Sequence, residues 1–352
     1  MAEEAAEIQK NTDILGMDVK ALEDYLGALG EPRFRAKQIF GWLHEKLAVD
    51  YNEMTNLPKA LREKLVAELP LRLPKAEVVQ ESRIDGTRKY LFSLYDGHRV
   101  ESVLMRYEYG NSVCISSQVG CAMGCAFCAS TVGGQIRNLT AGEMLGQVYG
   151  IRRELEGERV SHVVVMGTGE PLLNPDNLLA FIRLLSDENG QHLSRRNITV
   201  STCGIVPGIE RLANEGLPIT LALSLHAPTQ RQREQIMPVA KRYELSEVLA
   251  ACRHYFEKTG RRVTFEYAMI HEVNDRDEDA KALARLLTGM QAHVNLIPLN
   301  AVAEYGLAAS SRDRISHFSG LLEKAGINVT VRRSLGADID GACGQLRNRY
   351  EN

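Results

Sequence analysis

The chain has 352 residues, 44% hydrophobic and 25% charged, with a formal net charge of −3. That profile excludes a disordered chain and suits a globular protein of about two domains, or one barrel-sized domain with an appendage. No run approaches the ~18 consecutive apolar residues of a membrane span, and the acidic start Met1-Ala2-Glu3-Glu4 lacks the basic-then-apolar pattern of a secretory signal, so a cytoplasmic protein with no membrane partner is expected.

Past an unpatterned first dozen residues, Leu22, Tyr25, Leu26 and Leu29 recur at helical spacing up to Gly30. Ile39, Phe40, Leu43 and Leu47 form a second stripe after Pro32, and Leu61, Leu65 and Leu69 a third after Pro58. These predict a small helical module over 1–72, with a basic face of Arg33, Arg35, Lys37, Lys59, Arg62 and Lys64. The period then becomes two: Val78-Val79, Tyr90–Phe92 and Val100–Met105, separated by Asp85-Gly86 and Asp96-Gly97, predict an antiparallel β extension over 73–106.

From there strands at Val113–Ser117, His162–Met166, Ile198–Thr202, Ile219–Leu225, Val263–Met269, Val294–Ile297 and Val329–Arg332 alternate with helices near 140–155, 176–187, 245–258, 276–290 and 312–325. This alternation predicts a parallel α/β sheet or barrel with its working residues at the carboxyl ends of the strands.

Seven cysteines, an odd number, sit in a chain read as intracellular, where thiols stay reduced unless redox-active, catalytic or metal-bound. Cys121, Cys125 and Cys128 fall in one loop after the first barrel strand. Ligand chemistry alone allows an iron–sulfur cluster, a zinc site short of one ligand, or buried thiols. A cubane held by three thiolates would leave one iron open to a small molecule.

Cys121-x3-Cys125-x2-Cys128, with the aromatic Phe127 before its last cysteine and Gly167-Thr168-Gly169-Glu170-Pro171 after the second strand, resembles the radical S-adenosylmethionine (SAM) superfamily. The resemblance implies a partial (β/α)6 barrel over 107–336, a [4Fe-4S] cluster on the three cysteines, and SAM chelated to the open iron. Gly169 and Glu170 would meet the methionyl ammonium, since a cation needs oxygen acceptors.

The segments Cys114-Ile-Ser-Ser-Gln-Val-Gly-Cys121 and Asp338-Ile-x-x-Ala-Cys343-Gly-Gln-Leu346 narrow this further. They are similar to the RlmN family, which methylates C2 of adenine 2503 in 23S ribosomal RNA and of adenine 37 in transfer RNAs. The resemblance covers nearly the whole chain. It implies that Cys343, in the C-terminal segment 337–352, takes a methyl group from one SAM. A second SAM, cleaved reductively, then yields the radical that activates that methyl for addition to the base. Cys114 resolves the covalent RNA adduct by forming a disulfide with Cys343, and a reductant resets the pair.

In the period-two pattern Glu101 reads as a solvent-facing strand residue; the resemblance makes it the acceptor of the C2 proton. It likewise carries Ser201, Thr202, Ser224, Leu225, His226 and Asn300 over as positions around SAM, where hydroxyl, imidazole and amide groups at strand ends suit a nucleoside. Cys203 and Cys252 match no family role and read as structural.

A chain only three charges from neutrality must hold RNA by local patches. Two are expected to meet phosphates: Arg231, Arg233, Lys241 and Arg242 beyond the fourth strand, and Arg332, Arg333, Arg347 and Arg349 around Cys343. Apolar or aromatic walls are expected around an extruded adenine. The helical module resembles a helix-hairpin-helix RNA-binding appendage. The expected partners are ribosomal and transfer RNA and an electron donor such as flavodoxin or ferredoxin; the expected state is a monomer.

Two rivals stand beside this reading. The related Cfr family methylates C8 of the same ribosomal adenine, although Gly169-Glu170-Pro171 and Cys128-Ala129-Ser130-Thr131 are more similar to the C2 group. A zinc-binding RNA-interaction protein would be colourless, whereas a thiolate-ligated cluster absorbs broadly near ~400 nm.

Overall fold

The computed structural model describes residues 13–300, 306–340 and 344–351, apart from the side chains of 345, 348 and 351. The apolar stripes of the first 70 residues form α1 (Val19–Ala28), α2 (Arg35–Phe40, running into a π-helical turn at Gly41–Glu45) and α3 (Lys59–Glu68). Asp18 caps α1 by accepting from the Ala21 amide at 2.8 Å, which satisfies one of the orphan donors of a helix start. Leu22, Leu26, Ile39, Phe40, Leu43, Leu61 and Leu65 are buried in one core that is continuous with that of the sheet.

The antiparallel extension is β1 (Lys75–Glu81), β2 (Arg88–Ser93) and β3 (Arg99–Tyr107). Its last strand pairs antiparallel with β4 (Gly110–Ile115), the first strand of the parallel sheet. Strand β4 ends two residues short of its predicted limit. There the Ser116 amide turns to Gln147 Oε1 (2.9 Å) and the Ser117 amide to the Thr168 carbonyl (2.9 Å). A separate hairpin, β5 (Gln118–Gly120) and β6 (Gln135–Asn138), follows and carries the cysteine loop between its arms.

Helix α4 (Ala141–Arg153) leads into β7 (Val160–Val165), α5 (Pro175–Leu185), β8 (Ile198–Thr202), α6 (Val206–Asn214), β9 (Thr220–Ser224) and α7 (Gln230–Ile236). Then come α8 (Leu245–Thr259), β10 (Val263–Met269), α9 (Asp277–Leu287), β11 (Ala292–Pro298), α10 (Arg312–Lys324), β12 (Val329–Val331) and α11 (Gln345–Glu351). The ten-stranded sheet has the order β1-β2-β3-β4-β7-β8-β9-β10-β11-β12, and every neighbour from β4 onward is parallel. This is the predicted partial barrel, with β12 added beyond six strands.

The seven predicted barrel strands are all present. The sequence reading missed the β5–β6 hairpin, α6, α7 and α11. Pro207 and Gly208 in the first turn of α6 read as a loop, and α7 is Gln-Arg-Gln-Arg-Glu-Gln-Ile, with almost no apolar stripe to betray it. Among the described residues no helix is long and apolar enough to cross a membrane.

Candidate active site

At the carboxyl ends of the parallel strands lie two adjoining cavities. One of about 140 Å3 is lined by Cys121, Cys125 and Cys128 together with Gly169, Glu170, Ser201, Ser224 and His226. The other, about 300 Å3, shares Ser201, Ser224 and His226 and adds Cys114 and Asn300. The predicted cysteine loop, the strand-end polar groups and Cys114 therefore meet in one place. Leu225 lines neither cavity: its side chain is in the core and its amide is spent on the Glu266 carbonyl at 3.0 Å.

Burial pushes the Cys121 thiol up to about 11, and the Cys125 thiol higher still, with neighbouring thiols and Glu170 adding to the effect. Thiols so disfavoured as anions suit a cationic group that would take them as thiolates. Among the described residues no three Cys, His, Asp or Glu side chains converge as one metal ion requires. A cubane, whose thiolates each take a different iron, asks for thiols spread around a cavity, and that is how these three lie.

The Gly-Thr-Gly-Glu-Pro turn is locked to the cysteine hairpin. Gly169 has φ +115°, and a Cβ there would fall 2.7 Å from Gln118 and Ser117, so only glycine fits. The Glu170 amide donates to Gln118 Oε1 at 2.8 Å. Its carboxylate accepts from the Leu172 amide at 3.0 Å and the Cys203 amide at 2.7 Å, tying the β7 turn to the end of β8. Burial raises its pKa while these donors oppose the rise. Cys203, read from the sequence as purely structural, lines the cysteine cavity beside Glu170 and is pushed well above the usual thiol range by burial. Cys252 is buried in α8, in keeping with that reading.

His226 has left-handed backbone (φ +54°), as functional residues held under strain often do. Its Nδ1 accepts from the Ala268 amide at 2.9 Å. An accepting Nδ1 places the ring proton on Nε2, making the imidazole a neutral donor. Burial, aided by the Arg233 charge, lowers its pKa to about 3, so it stays neutral at ordinary pH. Phe127 packs edge-on against it at 4.7 Å, and Ser201 Oγ and Ser224 Oγ lie 3.4 Å apart beside it.

Glu101 departs from its sequence reading: it is 3% exposed, not solvated. Strand pairing with β2 and β4 covers both sides of β3, and α11 lies over it. Its Oε2 accepts from Lys89 Nζ at 2.8 Å and the Gly344 amide at 2.6 Å, and its Oε1 from the Arg347 amide at 2.7 Å. Lys89 is itself 1% exposed. Gly344, at φ +81°, sits so close to Ala129 and Ser130 that a Cβ would fall 2.7 Å from their backbone.

Upstream, Asp338 accepts from Ser82 Oγ (2.6 Å) and the Arg83 amide (2.9 Å). The Asp340 amide donates to Gln80 Oε1 at 3.0 Å. The β1–β2 hairpin thus holds the chain before Cys343 and Glu101 holds it after. Cys343 itself lies outside the described residues.

The phosphate-binding expectation needs correction at two arginines. Arg233 is 0% exposed and donates to the carbonyls of Cys203, Leu225 and Ser224, bracing strand ends from inside. Arg347 is buried and donates to the Val132 carbonyl. Short charged helices wrap back onto the barrel at both places, which spacing along the chain does not reveal. Arg349 pairs with Asp340 at 2.8 Å. Arg231, Lys241, Arg242 and Arg333 are exposed, and Arg332 is half-buried. The apolar lining of the larger cavity includes Val103, Met105, Phe127, Met166 and Leu335.

Residues 12–69 match the ribosomal RNA large subunit methyltransferase N-terminal domain, and residues 115–284 the radical SAM superfamily. The chain is 57% identical over 338 residues to a probable dual-specificity RNA methyltransferase RlmN from Symbiobacterium thermophilum, covering 96% of this chain and 91% of that one. It is 56% identical over 343 residues to the protein of the same name from Lachnoclostridium phytofermentans, covering 97% and 96%. The crystal structure of a radical SAM methyltransferase from Sphaerobacter thermophilus superposes with a TM-score of 0.92 at 46% identity, over 95% of this chain and 98% of that one. Identity this high over nearly the whole length reaches past a shared barrel: the chain belongs to the RlmN family of radical SAM RNA methyltransferases.

Proposed function

We propose that this RNA methyltransferase places a methyl group on C2 of an adenine in 23S ribosomal RNA and in transfer RNA, with Cys343 as the methyl carrier. The observation that carries the reading is the pinning of the carrier's neighbours. Gly344 is bonded to Glu101 and packed on Ala129, one residue past the cysteine loop, while Cys114 lines the cavity that continues to that loop.

Cys121, Cys125 and Cys128 would hold a [4Fe-4S] cluster. Gly169 and Glu170 would meet the ammonium of SAM, and Ser201, Ser224, His226 and Asn300 its nucleoside, with the Leu225 backbone shaping that wall. Bound together, cluster and SAM supply a reactive carbon radical, which electron-poor adenine C2 requires because it is no nucleophile. The Cys343 thiolate accepts the methyl by displacement. The described residues occupy three of the roughly four acceptor sites of the Glu101 carboxylate, and the fourth, on Oε1, would take the C2 proton. Cys114 then attacks the Cys343 sulfur: the S–S bond forms as the bond from that sulfur to the RNA-borne methylene breaks, the methylene takes a proton to become the methyl group, and two electrons and two protons from a reductant reopen the disulfide.

In this reading the helices up to residue 72 are an RNA-binding accessory, 73–106 the β extension, 107–336 the core and 337–352 the carrier segment. The protein works in the cytoplasm as a monomer, reduced by a flavodoxin or ferredoxin.

The test is nucleoside mass spectrometry on ribosomal and transfer RNA treated anaerobically with reconstituted protein, SAM and reductant. 2-Methyladenosine is the expected product. 8-Methyladenosine would move the chain to Cfr-type regiochemistry, and cluster-loaded protein that cleaves SAM without methylating either RNA would overturn the substrate assignment.

A further inference from the structure

We propose that Glu266 selects adenine over guanine by accepting a hydrogen bond from the amino group of the target base. The inference rests on the RNA-methylating reading above.

Glu266 is the one charged residue of β10, Val-Thr-Phe-Glu-Tyr-Ala-Met, in register between Ser224 on β9 and Asn295 on β11. Its side chain is 4% exposed. Oε1 accepts from Asn295 Nδ2 at 2.9 Å, but Oε2 has no hydrogen-bond partner among the described residues. Burial raises its pKa and the Arg332 charge opposes the rise. A buried carboxylate oxygen left unmet is costly, so the arrangement calls for a donor that arrives with a ligand.

The cavities indicate which ligand. Ser224 and His226 line both the cysteine cavity and the larger one, as groups holding SAM should. Glu266 lines the larger cavity with Cys114 and is absent from the walls of the cysteine cavity. It also opens onto a wider cavity of about 630 Å3 that includes Arg332 and Arg333. It therefore faces the part of the site away from the cluster, where the proposed resolving thiol waits.

Adenine has one donor group on its base edge, the amino group on C6, where guanine carries a carbonyl oxygen. A carboxylate oxygen attracts the first and repels the second, and a site built to bond a polar group rejects analogues lacking it. The amino group lies across N1 from C2, so gripping it leaves C2 open.

The experiment compares oligoribonucleotides carrying adenosine or purine riboside, which lacks the amino group, at the target position. The wild type, Glu266→Gln and Glu266→Ala are each assayed for methylation kcat/KM, SAM dissociation constant and cluster absorption. The wild type should favour the adenosine RNA by about tenfold to a hundredfold, the range a hydrogen bond to a charged group carries. Glu266→Ala should lose that factor on adenosine RNA and nothing further on purine RNA, with SAM binding and absorption unchanged. Glu266→Gln, which keeps a carbonyl acceptor, should recover part of the preference.

A wild type indifferent to the amino group overturns the proposal whatever the variants do. So does an alanine variant that keeps the wild-type preference, or one whose whole loss lies in SAM affinity, which would give Glu266 to the SAM ribose. A wild type that cleaves SAM but methylates no adenosine RNA fails the parent reading and this one together, whereas the other outcomes leave the parent reading standing.

Discussion

The cysteine loop takes its three thiols from eight consecutive residues slung between the arms of one short hairpin. The clasp on the chain end instead joins Lys89, Glu101 and Gly344 from β2, β3 and the C-terminal segment, beside the β4 strand that carries Cys114. The loop is local and depends on turn geometry and a ligand. The clasp exists only when the β extension, the barrel and the chain end have all docked, and one buried carboxylate joins them. The cysteine loop is thus open to loss of its ligand alone, while the clasp is open to any change that loosens the chain end.

Cysteine variants break this comparison most sharply. Cys125→Ala should abolish both cluster absorption and RNA methylation, whereas Cys343→Ala should keep the absorption and lose only methylation. Cys114→Ala should also keep the absorption and accumulate RNA-linked protein, seen as a nuclease-sensitive shift on denaturing gels. Parallel anaerobic spectra and nucleoside mass spectrometry separate the three.

Next in size is Glu101→Ala, which removes the carboxylate that pairs with the buried Lys89 ammonium and accepts from two amides. Breaking a buried pair by removing one partner costs about 3–5 kcal/mol. Chemical denaturation should show that loss, and limited proteolysis should find the C-terminal segment released, with cluster absorption retained. A C-terminal segment as protected as in the wild type would dismiss the carboxylate as its anchor.

The pH dependence concerns two buried histidines, His226 at the site and His44 beneath the N-terminal helices, both lowered from 6.5 to about 3 by burial. With the folded value depressed, the unfolded chain binds the extra proton between these limits. Their stabilising effect is complete above pH 6.5 and is lost as pH falls toward 3, by up to about 1.4 kcal/mol per pH unit for each histidine. Urea titrations of the wild type and His44→Gln at pH 7.5 and 5.5 should show a shallower acid loss in the variant.

The smallest effect should come from Asp338→Ala, which removes two half-exposed hydrogen bonds to the β1–β2 hairpin. A loss of about 1–2 kcal/mol is expected by thermal unfolding, with faster amide exchange around 336–340.

Much of the fold could be read from the chain because its signals are local. The seven parallel strands are β-rich runs spaced by amphipathic helices, and the Gly/Pro punctuation of the first 70 residues marks three helices that the structure retains. The site was legible where residues are neighbours, as in the cysteine loop and the Gly-Thr-Gly-Glu-Pro turn. Legibility failed where burial decides. Arg233 and Arg347 read as phosphate ligands and are internal struts, Glu101 reads as solvated and is an internal anchor, and Cys203 reads as inert and lines the cysteine cavity.

The amino-acid sequence by itself determined the class of chemistry, since three thiols and a strand-end glutamate at fixed spacing need no tertiary knowledge to be recognised. Only the tertiary structure decided which charges face inward, that His226 is a neutral Nε2 donor, and that the β extension clasps the chain end. Solvent exclusion and pairing between residues some 250 positions apart are properties of the packed molecule, and no local pattern encodes them.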